Sequence, residues 1–280
     1  MRYTERRKQV LKTARFTIPL ILLISVLCLC LSHAVLSEAK YPAAPKSPKT
    51  NGKLRVDANH TKEGYFLASV SKKTSKKMKM RVVKGDVSLT YDLNGAAEYE
   101  VFPFQLGDGK YAISLYENIS GKKYSAAGKI TVNVKLSDPN GPFLYPNQYV
   151  NYTAESKAIL QADKLGEGKT EKEAFDAVCS YMKTTFVYDY VKAATVKAGV
   201  LPDIDGCYSK GMGVCQDLSA IMIAMLRSQG IPSKLMIGYA GKQYHAWTVS
   251  IINDKEVFYD PTAALNAINK TKTYSVERFY

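Results

Sequence analysis

The chain has 280 residues, 46% hydrophobic and 23% charged, with 39 Lys and Arg against 25 Asp and Glu and a net charge of +14. Those fractions exclude an intrinsically disordered chain, and the length suits one large domain or two ordinary ones with a core that needs neither a metal nor dense disulfides. Despite the positive balance there is no recognised nucleic-acid-binding motif, so no nucleic-acid partner is expected.

Residues 1–39 read as an export segment. A basic head (Arg2, Arg6, Arg7, Lys8, Lys12, Arg15) precedes an apolar run over 16–31, and the small-x-small triplet Ser37-Glu38-Ala39 follows. Basic, apolar, small is the order of a secretory signal. Extended to Val35, the apolar stretch has about 20 residues, enough to span a bilayer as an uncleaved anchor. The large Leu27 and Leu29 before Cys28 and Cys30 make a poor lipoprotein box. Cleaved or anchored, the rest of the chain is expected at the cell surface or beyond. Residues 1–39 hold +4 of the charge and the remainder +10. Lys72, Lys73, Lys76, Lys77 and Lys79 lead that surplus, which is either a solvated face or an attraction to an anionic wall polymer or membrane surface.

Residues 40–52, YPAAPKSPKTNGK, have the composition of an extended, mobile linker. From 53 to 137 come roughly seven short runs rich in β-branched and aromatic residues, punctuated by Gly, Asn and Asp, a pattern that suits an immunoglobulin-like β-sandwich. That region lacks the Cys…Trp…Cys core, and its one histidine, His60, is expected at the surface. Residues 138–150, with three prolines, mark a junction.

From 151 the period changes. Helices are predicted over 157–165 and 171–185. In the second, Ala174, Phe175, Val178 and Met182 fall on one face, and Thr170 with Glu173 forms a capping box. A polar loop over 189–213 leads to a third helix, 215–228, stopped by Gly230-Ile231-Pro232. Three strand-like runs follow: SKLMIGYA, AWTVSII and EVFYD. The domain over 151–280 is therefore α+β.

The chemistry-bearing residues converge there. Cys215 opens the third helix after Gly211-Met212-Gly213-Val214, where unpaired N–H groups and the positive end of the helix dipole favour a thiolate or a developing oxyanion. Read alone, Cys215 is equally compatible with a buried core thiol. Of three histidines, only His245 shares its domain. His245 opens a strand with Trp247 and Val249 on the same face. Asp260 closes the next strand before Pro261, and a hairpin through Asn253-Asp254 returns it to the His245 end, where it can orient an imidazole. Leaving aside Cys28 and Cys30, three cysteines remain. A Cys179–Cys207 disulfide would leave Cys215 as the free thiol, with three free thiols as the alternative.

Gly213-Val214-Cys215-Gln216-Asp217-Leu218-Ser219-Ala220, Gly230-Ile231-Pro232, Gly238-Tyr239, His245-Ala246-Trp247 and Tyr259-Asp260-Pro261-Thr262 occur in that order over about fifty residues. Together they resemble the transglutaminase-like superfamily in its bacterial secreted branch, over roughly 150–280. The resemblance implies a papain-like core with the cysteine helix packed on an antiparallel sheet. It also implies Cys215 as nucleophile, His245 as base and Asp260 as the orienting acid. Tyr208 and Gln216 are candidates for a side-chain donor to the oxyanion. No Asp-rich calcium loop appears, and neither metal nor cofactor is expected. The implied function is an extracellular cysteine acyltransferase or hydrolase acting on protein or peptide amides. The alternatives are a binding module that kept the fold and lost the chemistry, or a surface scaffold working through the sandwich and the basic cluster.

Overall fold

A computed structural model describes residues 36–266 and 273–280. Most of the export segment, with Cys28 and Cys30, lies outside the described residues. Among the described residues no helix is long and apolar enough to cross a membrane.

The first half is all strand: β1 (Lys49–Asn51), β2 (Leu54–Asp57), β3 (Tyr65–Val70), β4 (Met78–Lys84), β5 (Val87–Leu93), β6 (Glu100–Pro103), β7 (Gly109–Ser120) and β8 (Lys123–Val134). They form two four-stranded antiparallel sheets, ordered β1-β2-β3-β6 and β5-β4-β7-β8. Period-two alternation turns Met78, Met80 and Val82 of β4 and Tyr111, Ile113 and Leu115 of β7 inward. The two sheets share one core: Tyr91 of β5 meets Phe102 of β6 edge-on at 5.1 Å.

Two expectations fail in this half. The 40–52 segment is not a free linker. Its residues 49–51 pair with β2, the Lys46 and Ser47 N–H groups donate to the Asp57 carboxylate, and Ala43 N–H donates to the Tyr65 hydroxyl at 3.0 Å. Composition signalled mobility, but a buried carboxylate in β2 offered acceptors for this backbone. His60 is not at the surface either; it is buried, stacked on Tyr65 at 4.7 Å. Of the clustered lysines, Lys76 pairs with Glu117 and Lys79 with Asp92.

The second half begins with α1 (Lys157–Gly166) and α2 (Glu171–Thr185), followed by β9 (Val187–Tyr188), α3 (Tyr190–Thr195), α4 (Ile204–Lys210) and β10 (Met212–Gly213). The span read as a loop thus holds two short helices, each capped by an aspartate, Asp189 and Asp203. The capping box on α2 forms as read. α5 (Cys215–Arg227) is buried from Asp217 to its end, because α1, α2 and α4 pack on it and β11 (Ser233–Ala240) and β12 (Gln243–Ile252) lie beneath. Each large aliphatic side chain buried there, such as Leu218, Ile221, Ile223 and Leu226, contributes roughly 1.5–3 kcal/mol. β13 (Lys255–Tyr259), α6 (Pro261–Ala264) and β14 (Tyr274–Phe279) complete the chain, and the sheet runs β13-β12-β11-β14 with every pair antiparallel.

β14 did not register in the sequence. It docks on β11 at a bulge between Ile237 and Gly238. A Cβ at Gly238 would stand 1.9 Å from the Ser275 carbonyl oxygen, so glycine is what lets the two backbones approach. Arg227, wholly buried at the end of α5, ties the junction between the halves to the second half. It donates to the carbonyls of Ser233, Tyr145 and Tyr280. Gln105 adds a bond to the Phe279 carbonyl at 3.0 Å.

Candidate active site

Cys215 is the first residue of α5, and three contacts fix the backbone around it. β10 pairs parallel with β9. Gly213 passes so close to Asp217 that a Cβ there would meet the Asp217 Cβ at 2.8 Å. The Asp217 carboxylate, fully buried in the first turn, accepts the Val214 N–H at 3.0 Å and the Asp203 N–H at 3.2 Å and pairs with Lys192 at 2.7 Å. The N–H groups of the first turn of α5 have no acceptor within the helix, so they and the helix dipole face whatever approaches the sulfur.

The β12–β13 hairpin turns at Asn253 and Asp254 with φ of 49° and 61°, the double left-handed geometry that Asn and Asp tolerate. Its register pairs Thr248 with Tyr259 and so carries Asp260 to the His245 end of the sheet. His245 Nε2–H donates to Asp260 Oδ2 at 2.8 Å, with both side chains buried. Asp260 is also the N-cap of α6: Oδ1 accepts the Thr262 and Ala263 N–H groups, and Oδ2 accepts the Tyr274 hydroxyl at 2.9 Å. Four donors on one carboxylate outweigh its burial, and Asp260 is held below the ordinary carboxylate range. Tyr274 comes from β14, and sequence reading missed it; a Tyr-x-Val alternation after residue 273 was the only signal.

Burial by itself would pull His245 down from 6.5. The Asp260 hydrogen bond and the interaction with Cys215 reverse this and push the imidazole up to about 9. Its other nitrogen, Nδ1, is buried and makes no hydrogen bond of ordinary geometry. Trp247, 1% exposed, stacks beside the ring at 6.2 Å and sets one side of it.

Cys215 and His245 both line a cavity of about 510 Å³. The two oxyanion candidates fare differently. Tyr208 does not line that cavity; its hydroxyl is engaged with the Tyr181 hydroxyl at 2.7 Å. Gln216 does line it, but its amide N–H donates to the Val200 carbonyl at 3.0 Å. Tyr188 also lines it. Burial and the nearby Cys215 push this phenol up to about 12, so it stays an O–H donor at neutral pH.

Cys179, Cys207 and Cys215 are all free thiols, the second of the two alternatives the sequence left open. Cys179 and Cys207 sit on different helices with partners of their own. Lys192 Nζ lies 3.5 Å from the Cys207 sulfur, and burial pushes Cys179 up to about 12 and Cys207 up to about 11. Among the described residues, no cluster of His, Cys, Asp and Glu could hold a metal ion.

Residues 160–261 match the family model of the transglutaminase-like superfamily. The chain carries a transglutaminase-like domain. Cys215, His245 and Asp260 all fall inside the match, whereas the two N-terminal sheets and β14 do not. Among solved structures the chain is similar to a Cytophaga hutchinsonii protein provisionally described as a cysteine protease, at 17% identity and a TM-score of 0.39, covering 71% of this chain and 78% of that one. It is also similar to a TGase at 16% identity and a TM-score of 0.34, covering 42% of this chain and 32% of that one. Red sea bream transglutaminase is a third, at 13% identity and a TM-score of 0.28, covering 84% and 51%. No curated protein matches the chain.

Proposed function

We propose that the protein is an extracellular cysteine acyltransferase or hydrolase acting on protein or peptide amides through a thioester on Cys215. The observation that carries this reading is the buried His245–Asp260 pair at 2.8 Å, facing the same cavity as a cysteine at a helix start. With the imidazole held up to about 9, His245 carries a proton at neutral pH and pairs with a thiolate.

The Cys215 sulfur attacks the amide carbonyl carbon. A C–S bond forms, and the carbonyl π electrons move to oxygen. That oxyanion accepts hydrogen bonds from the first-turn N–H groups of α5, with Tyr188 as the side-chain donor beside them. As the C–N bond breaks, His245 gives its proton to the departing nitrogen, leaving a thioester and a neutral imidazole. Water or an amine then gives a proton to His245 and attacks the thioester, and the C–S bond breaks to restore the thiolate. Water completes hydrolysis; a lysine amine completes a cross-link. Asp260, with Tyr274 and the α6 backbone behind it, keeps Nε2–H bound so that Nδ1 faces the sulfur.

The same reading assigns 53–137 to an immunoglobulin-like sandwich and 151–280 to a papain-like catalytic domain. Export rests on residues 1–39, as a cleaved signal or a membrane anchor. Contact with an anionic wall polymer rests on the lysine cluster, of which Lys72, Lys73 and Lys77 make no ion pair among the described residues. The test is turnover of a glutamine-containing peptide, with ammonia release and incorporation of a primary amine both read. The expected result is turnover by the wild type and background rates for Cys215→Ala and His245→Ala. Turnover that survives either substitution would refute the proposal.

A further inference from the structure

The lining of the cavity at Cys215 has a surplus of positive side chains. Apart from the Cys215–His245 pair, two charged side chains line the cavity, Lys197 and Arg278, and no Asp or Glu does. They come from different parts of the chain: Lys197 from the stretch after α3, Arg278 from β14. Neither takes part in any ion pair among the described residues, whereas Lys192 on α3 is neutralised by Asp217 at 2.7 Å. The Arg278 head is held in place, because Nη2 donates to the Tyr244 hydroxyl at 2.7 Å. Glu277, the unpaired residue of the β14 bulge, does not line the cavity.

The strand register places Arg278 relative to the reacting groups. Arg278 lies opposite Ile237, and Ile237 lies opposite Ala246, the residue after His245. Two strand spacings of about 4.8 Å set Arg278 roughly 10 Å from the His245 end of β12. That is about one screening length at 0.1 M salt, and low-dielectric walls carry a field further than open water does.

We propose that this groove selects acyl donors bearing a negative charge beside the scissile amide, with Arg278 and Lys197 as the specificity-determining residues. The inference rests on the reading of Cys215 as the nucleophile. The ligand chemistry is a carboxylate, supplied either by an Asp or Glu side chain of the substrate peptide or by its free C-terminus. An Arg fork already anchored on one side gives up little freedom when it takes a carboxylate.

The test compares two alkylating reagents of one size and opposite suitability, iodoacetate (charged) and iodoacetamide (neutral). Rates are read on the 211–227 peptide by mass spectrometry at low salt, with the unfolded chain as reference. In the native protein the iodoacetate-to-iodoacetamide ratio at Cys215 should exceed that of the unfolded chain. In Arg278→Gln/Lys197→Gln the ratio should drop by about five- to tenfold, as expected for two charges at that range. Any preference due to the His245 imidazolium is common to both proteins and cancels. An unchanged ratio in the variant overturns the proposal while Cys215 reactivity itself stands. If neither reagent modifies native Cys215, the nucleophile reading fails and takes the proposal with it. Matched glutamine peptides with Glu, Gln or Lys beside the reactive residue, each with a free or amidated C-terminus, then identify the source of the carboxylate. The expected preference is for Glu or for the free terminus; equal turnover of all forms is contrary.

Discussion

Asp260→Asn separates the charge of this residue from its structural work. Asparagine caps a helix about as well as aspartate, so its oxygen can keep the Thr262 and Ala263 N–H bonds that start α6. What is lost is the negative charge 2.8 Å from His245 Nε2. At about 1.36 kcal/mol per pH unit, the rise of His245 from 6.5 to about 9 represents about 3 kcal/mol of preference for imidazolium. Without the carboxylate only the interaction with Cys215 opposes burial, and the imidazole pKa should fall well below 9. The His245 titration itself, followed by imidazole NMR, should therefore move down from near pH 9 by about a unit or more. Turnover at neutral pH should drop on the order of 10²–10⁴-fold, the usual worth of positioned proton transfer. Stability follows the same signs. His245 is raised, so its contribution is complete below pH 6.5 and disappears as pH rises through about 9. Asp260 is lowered, so its contribution is present above its ordinary value of 3.8 and disappears as pH falls below it. The Tm deficit of Asp260→Asn should be greatest between about pH 4 and 6.5 and should narrow above about pH 9, where the Tyr274 and α6 donors still hold the carboxylate. An imidazole titration that stays near pH 9 in the variant would refute the reasoning.

Three further substitutions test the scaffold. Lys192→Met leaves the fully buried Asp217 without its cation and should cost about 3–5 kcal/mol in chemical denaturation; a loss under about 1 kcal/mol would mean that the pair does not brace the start of α5. Gly238→Ala drives a methyl group into the Ser275 carbonyl and should cost about 1–3 kcal/mol. Faster amide exchange at Val276 should accompany it if the damage is the undocking of β14. Arg227→Met strips buried carbonyls of Ser233, Tyr145 and Tyr280 of their charged donor and should cost about 3–5 kcal/mol, read from the urea midpoint. A midpoint unchanged from the wild type would mean that this network does not hold the junction to the second half.

The parts of the site that were legible are those whose cause is local. The α2 capping box is three residues long, the cysteine helix announces itself by its stripe and its Gly-Ile-Pro stop, and the β12–β13 hairpin by its Asn-Asp turn. Each is decided within one element and its cap, so Cys215, His245 and Asp260 could be named with their elements. The rest depended on partners far away in the chain. β14 is half polar and lies beyond α6; only its pairing with β11 makes it a strand, so Tyr274 and Arg278 stayed hidden with it. Lys192 looked like one more surface cation until Asp217 met it across 25 residues of loop and helix. Tyr208 lost its candidacy to Tyr181, and the cysteine pair to Lys192 and to burial, contacts that spacing alone does not encode. His60 and the 40–52 segment were misjudged because polarity was read as exposure, whereas Tyr65 and Asp57 gave them partners.

The most direct measurement of the central claim is to quench the protein during turnover of an activated peptide ester and locate the acyl group by mass spectrometry. The account predicts the added mass on the 211–227 peptide at Cys215, its absence in Cys215→Ala, and its removal on adding a primary amine. Turnover without acylation of Cys215, or acylation at Cys179 or Cys207 instead, would contradict it.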